Sequence, residues 1–210
     1  MRILFYGDSI TDAGRENQVG APNVRLGYGY VTYAAGKLLE RDLGGYEIYN
    51  RGISGNRIVD IYARIKRDCW NLEPDVISIL IGVNDVWHEA SHKNGVELDR
   101  FETVYRMLLE DTKKKLPNVK LIICEPFVLE GSATAEKMEL FSQVKDYAAV
   151  AKKLSEEFDA VFVPLQEKYD ELGAKYGNDA LLGDGVHPTL AGAVVLANEW
   201  LKGYDKLMSK

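Results

Sequence analysis

Three side chains, one near the first residues and two close together near the last, have the types that nucleophilic acyl transfer requires. Ser9 stands in "YGDSITDAG", directly after the short apolar run Ile3-Leu4-Phe5-Tyr6. That run has the length and residue types of a buried strand, and Gly7 permits the sharp turn that ends it. A serine displayed on such a turn is how several hydrolases present a nucleophile. Its hydroxyl attacks only when a base removes the proton, and that base is most often a histidine. The chain has three histidines. His92 lies in the charged stretch "EASHKNG" and reads as a solvated loop residue. His187 lies in "LLGDGVHPTLAG", just ahead of the last helical pattern, and Asp184 precedes it by three residues. One loop can then present the imidazole while the carboxylate turns back to Nδ1, fixing the tautomer and stabilising the imidazolium. Ser9, His187 and Asp184 are the candidate nucleophile, base and orienting acid.

The tetrahedral intermediate of acyl transfer also carries a negative oxygen, and losing one of its donors typically costs about 3–4 kcal/mol. Three candidates follow successive apolar runs: the backbone N–H of Ser9, the N–H of Gly52 in "NRGISGN", and the side-chain amide of Asn84 in "GVNDVWHE". At Gly52 the missing side chain would let a backbone donor come close to substrate. Trp87 and His88 follow Asn84 and flank the same region; an indole there could stack on a sugar ring or equally close the core. His88 is a candidate substrate contact with no chemical step. Tyr28 and Tyr30 are candidate rim aromatics, whereas Asp12, Arg15 and Asp60 read as surface or local hydrogen-bonding residues.

Each of these residues has a plainer reading. Ser9 could be a turn residue or helix cap. Asn84 and Asp85 could cap a turn, and Asp184 could belong to an ordinary "GDG" turn. "GDSITDAG" could also cradle a phosphate at a helix N-terminus, although it lacks the lysine of a phosphate-binding P-loop. A phosphatase-type Asp-x-Asp is missing its second aspartate.

Positioning the candidates falls to alternating elements. The expected strands are Ile3–Tyr6, Tyr46–Asn50, Asp75–Gly82, "VKLIICE" and "AVFVP". Between them run helical patterns from about Tyr30 to Glu40, through Ile58, Ile61, Tyr62 and Ile65, and through Phe101, Val104, Tyr105, Leu108 and Leu109. Another carries Phe141, Val144, Ala148, Ala151 and Phe158. After Pro188-Thr189 comes a final helix expected to turn Leu190, Val194, Ala197 and Leu201 inward. Strand and helix alternating five times imply a doubly wound α/β fold with a parallel sheet. In such sheets chemistry sits beyond the carboxyl ends of the strands, where all five candidates fall. No linker or repeat divides the chain, so residues 1–210 read as one domain.

The bulk composition excludes several function classes. With 26 basic and 32 acidic residues the net charge is −6, the wrong sign for a nucleic-acid surface. The apolar runs are strand-sized, too short for a membrane span. The start lacks the long apolar stretch of a signal peptide. Two cysteines, Cys69 and Cys124, make neither a disulfide framework nor a metal site. The chain reads as cytoplasmic, without cofactor. A homo-oligomer could wall the crevice, though the composition demands none.

Gly7-Asp8-Ser9, Gly52, Asn84 and "DGVHP" match, in order, the four blocks of the SGNH (GDSL-type) hydrolases, and the sequence resembles that family over nearly all of its length. The resemblance implies a three-layer α/β/α fold with a flavodoxin-like five-stranded sheet in the order 2-1-3-4-5. It also implies metal-free ester hydrolysis through an acyl-serine. Ser9 would be the nucleophile, Gly52 and Asn84 oxyanion donors, His187 the base and Asp184 its partner. The first block reads "GDSI" where the family pattern has Leu. Longer strings, "GDSITDAGR", "GYGYV", "NRGISGN", "IGVNDVW" and "PFVLEG", resemble the intracellular acetylxylan and acetyl-xylooligosaccharide esterases of that family. These imply an acetylated saccharide as substrate. The family also holds lysophospholipases, thioesterases and acyltransferases, and a non-catalytic flavodoxin-like binding module is the alternative outside enzymes.

Overall fold

The computed structural model describes residues 1–16 and 21–210; residues 17–20, within the polar stretch expected after the first strand, lie outside the described residues. Five parallel strands, β1 (Arg2–Gly7), β2 (Glu47–Asn50), β3 (Val76–Leu80), β4 (Lys120–Cys124) and β5 (Val161–Val163), form one sheet in the order β2-β1-β3-β4-β5. This is the 2-1-3-4-5 order implied by the resemblance. β1 and β3 occupy the middle, and all five residues of β3 are buried. A strand covered on both faces has no solvent side, so its pattern is continuously apolar.

The connecting helices are α1 (Ser9–Asp12), α2 (Tyr30–Arg41), α3 (Ile58–Ala63), α4 (Ile65–Asp68), α5 (Val83–His92), α6 (Leu98–Lys115), α7 (Met138–Phe141), α8 (Val144–Glu157), α9 (Gln166–Tyr176) and α10 (Leu190–Met208). α2 packs on α10, and α6 packs on both α3 and α8. Ser78, the one polar residue of β3, receives a hydrogen bond from the fully buried Trp200 of α10 (Nε1 to Oγ, 2.8 Å). The indole also lies 4.7 Å from the Phe5 ring, centroid to centroid.

Four expectations need correction. On α10 the buried residues include Ala193, Leu196, Ala197, Trp200, Tyr204 and Leu207, whereas Leu190 is 67% and Val194 39% exposed. Thr189 caps this helix by accepting from the Gly192 N–H, so Leu190 and Val194 fall on its solvent side. The helical pattern through Ile58 and Ile65 is two helices, broken at Arg64. The segment "VNDVWHEASH" after β3 is helix α5, so His92 ends a helix rather than sitting in a loop, though it is exposed. α9 was not anticipated: its pattern is mostly polar, with Tyr169 and Gly173 its only buried residues.

Candidate active site

β1 ends at Gly7 because nothing larger fits. A Cβ there would lie 2.3 Å from the Leu80 carbonyl of β3 and 2.6 Å from Thr11 Oγ1. The requirement is close packing, not the conformational freedom read from sequence, since the Gly7 φ is not positive. Asp8 then caps α1, its Oδ1 accepting from the Ile10 N–H at 3.0 Å. Ser9 is thereby the first residue of the helix, half-buried, with its N–H among those a helix start leaves without an intrahelical acceptor.

The opposite partner arrives from the loop ahead of α10. Asp184 Oδ1 accepts from the backbone amides of Val186 (2.9 Å) and His187 (2.7 Å), while Oδ2 lies 2.7 Å from His187 Nδ1. His187 Nε2 lies 2.8 Å from Ser9 Oγ. Burial pushes the Asp184 carboxyl up, but the two amides and the imidazole outweigh it and hold it below the usual carboxylate range. The segment after β4 braces this loop: the Leu129 N–H donates to the Gly185 carbonyl and the Ala133 N–H to the Asp184 carbonyl. Thr134, fully buried, donates to the Leu129 carbonyl and accepts from the Gly131 N–H. The string "PFVLEG" thus belongs to the support of the imidazole loop.

The donors expected for an oxyanion occupy the ends of β1, β2 and β3. Gly52 packs against α1 so tightly that a Cβ would meet Asp12 N at 2.2 Å. Its glycine identity therefore follows from helix packing, a different reason from the substrate approach read from sequence. Its N–H donates to Asn50 Oδ1 at 2.9 Å and its carbonyl accepts from Arg15 Nε at 2.5 Å. Asn84, in the first turn of α5, donates from Nδ2 to the Asn56 carbonyl at 3.1 Å and is 7% exposed. Asp12 and Arg15, read as surface or local hydrogen-bonding residues, are buried and hydrogen-bonded: Asp12 Oδ2 accepts from both the N–H and the hydroxyl of Ser54. Sequence reading also missed Asn50, whose Nδ2 donates to the carbonyls of Thr11 and Leu26. The signal was a buried-strand pattern that ends in an asparagine, Asn50, directly ahead of the Gly52 loop.

A crevice of about 220 Å³ opens beside the serine and the imidazole, bordered by Ala13, Gly14, Tyr28, Ser54 and Pro188. Tyr28 is 75% exposed at its rim. Tyr30 also borders it but is not a rim aromatic: it is 1% exposed, and its hydroxyl lies 3.3 Å from Thr11 Oγ1. Trp87 stands between Phe141 and the imidazole, 5.9 Å from the His187 ring. His88 does not border the crevice; it lies beside His92, and burial, with Arg57 nearby, holds its pKa below the usual value.

Beneath the site two carboxyls are buried. Desolvation raises Asp8 to about 7 and Asp85 to about 8. Unfolded carboxyls release their protons near about pH 4. Between that value and about pH 8 the folded state therefore binds more protons than the unfolded state, and stability falls as pH rises. Thermal melts should accordingly give a lower midpoint at pH 8 than at pH 5. Asp8→Asn, which keeps the amide acceptor but cannot ionise, should lose part of that difference; an unchanged slope would contradict this origin.

The sequence model of the GDSL-like lipase/acylhydrolase family matches residues 5–195. The chain belongs to this family. It is a carboxylic ester hydrolase of α/β fold. It is 36% identical to an acetylxylan esterase of Geobacillus stearothermophilus, the match covering 100% of this chain and 97% of that protein. The solved structure of an acetylxylan esterase from the same organism superposes with a TM-score of 0.86 over 96% of this chain and 93% of the other. A GDSL-like lipase of Parabacteroides merdae superposes with a TM-score of 0.91 at 41% identity, covering 97% of this chain and 95% of the other. Solved forms of the Geobacillus esterase include alanine variants of one serine, one aspartate and one histidine, each described as a catalytic mutant. That aspartate and histidine stand three residues apart. No helix among the described residues is long and apolar enough to cross a membrane.

Proposed function

We propose that this chain is a serine esterase that removes acetyl groups from acetylated sugars, xylo-oligosaccharides foremost, through an acyl-Ser9 intermediate. The observation that carries the reading is the continuous relay from Ser9 Oγ to His187 Nε2 (2.8 Å) and from His187 Nδ1 to Asp184 Oδ2 (2.7 Å). His187 takes the Ser9 proton as the oxygen attacks the ester carbonyl, and Asp184 stabilises the imidazolium. The Ser9 N–H and the Asn84 amide face the developing oxyanion, with the Gly52 N–H, shared with Asn50 Oδ1, as third donor. Collapse expels the sugar hydroxyl, which takes the proton from His187. Water, deprotonated by the same imidazole, then releases acetate and restores the serine.

Three features support the substrate class. The full-length relative is an acetylxylan esterase, and the aspartate–histidine spacing of its catalytic mutants equals that of Asp184 and His187. The crevice, at about 220 Å³, lies below the range of about 300–1,000 Å³ typical of drug-sized ligands, which favours a short acyl group. Tyr28 and Trp87 offer aromatic faces for a sugar ring. A fluorophosphonate should label Ser9, and a series of acyl esters from two to eight carbons should show kcat/KM highest for acetate and falling with length. Equal turnover of long-chain esters would move the assignment to the lysophospholipase or thioesterase reading; no labelling would remove the acyl-serine.

A further inference from the structure

The break between α3 and α4 places Arg64 under the meeting point of three strand ends. Its side chain is 10% exposed, and its donors spread over separate segments. Nε donates to Asn56 Oδ1 at 2.7 Å, Nη1 to the Arg51 carbonyl at 2.8 Å, and Nη2 to the Gly7 carbonyl at 3.1 Å. Asp68 holds the guanidinium from the next turn, Oδ2 to Nη1 at 2.9 Å, and the Tyr6 ring lies beneath it, 4.5 Å from centroid to Cζ.

Each acceptor is coupled to one oxyanion donor. The Arg51 carbonyl shares a peptide plane with the Gly52 N–H, so fixing one end of that planar unit fixes the direction of the other. Asn56, held by its side chain, offers the carbonyl that receives the Asn84 amide. The Gly7 carbonyl closes the strand that turns into Asp8 and Ser9, and it also accepts from the Ile53 N–H. A guanidinium has five donors in a rigid fork, whereas a lysine ammonium is a point charge that cannot span three such acceptors.

We propose that Arg64 is the positioning residue of the oxyanion-binding donors, its single guanidinium holding in register the segments that carry Ser9, Gly52 and Asn84. This rests on the serine-esterase reading. Preorganised donors act only if they already point where charge develops, so loosening them reduces turnover while ground-state binding in the crevice persists.

Arg64→Lys should lower kcat for an acetate ester, per active site titrated with fluorophosphonate, by about 10²-fold, with little change in KM. Adding guanidinium to Arg64→Ala should restore part of the loss. Asn56→Ala removes only the Nε acceptor and should give a smaller fall, which keeps the test open if the Arg64 variants fold poorly. Arg67→Ala alters the exposed neighbour on Asp68 and should leave kcat unchanged. Normal kcat per titrated site in Arg64→Lys and Asn56→Ala, or an equal loss in Arg67→Ala, overturns the role of Arg64. Turnover by a folded Ser9→Ala variant overturns instead the esterase reading beneath it.

Discussion

Ser9→Ala should lower kcat for an acetate ester by about 10⁶-fold, the scale on which removal of a triad nucleophile acts. Among the described residues the serine hydroxyl is the only group hydrogen-bonded to His187 Nε2, so on the proposed reading its loss removes both the attacking oxygen and the proton that the imidazole accepts. The fold should survive: alanine suits the first turn of α1, and the cap made by Asp8 to the Ile10 N–H does not involve the hydroxyl. Residual catalysis would come from oxyanion donors and substrate positioning acting on water. Steady-state kinetics with a melting curve on the same sample checks this. A folded variant that retains more than about a hundredth of wild-type kcat, far above the residue expected of such a knockout, would place the nucleophile elsewhere.

Asp184→Asn should cost about 10⁴-fold in kcat with little change in melting temperature. The asparagine Oδ1 can still accept the Val186 and His187 amides, so the loop keeps its shape. Its NH₂ would then face His187 Nδ1, which must act as acceptor and leave the ring proton on Nε2. A protonated Nε2 cannot receive the Ser9 proton. Because the Asp184 carboxyl is held below the usual range, acidification to pH 5 should not reproduce the defect by protonating it. The measurement is kcat from pH 5 to 9 for both proteins; a variant within about tenfold of wild type throughout would mean that the carboxylate shapes the loop without setting the tautomer.

Much of the fold was legible because both-face burial writes itself into residue type: Val76 to Leu80 could hardly be other than an inner strand. Ser9, Asp184 and His187 stand out in the sequence because acyl transfer restricts the residue types that could serve it, and the structure joins the three in one chain of hydrogen bonds, the arrangement on which the proposal rests. What escaped was set by partners distant in sequence. Leu190 and Val194 look inward on periodicity alone, but the rotation of α10 is fixed by Trp200 and Tyr204 against the sheet. Arg15 and Asp12 left surface and hydrogen-bonding roles open until Gly52 and Ser54 fold against them. Tyr30 looked like a rim residue because a polar, glycine-rich stretch leads up to it, yet its ring packs edge-on to Phe5.

Ser9 and His187 are separated by 178 positions along the polypeptide. On the proposed reading, synthesis delivers the nucleophile long before its base and leaves it unarmed in the interval. Ser9 Oγ lies within 2.8 Å of His187 Nε2 only in the arrangement that seats the final loop over the sheet. Forms in which that loop has not docked should therefore not hydrolyse esters. Hydrolytic competence becomes a report on the completed tertiary structure, and its recovery after denaturant removal should track the last docking event rather than the early collapse.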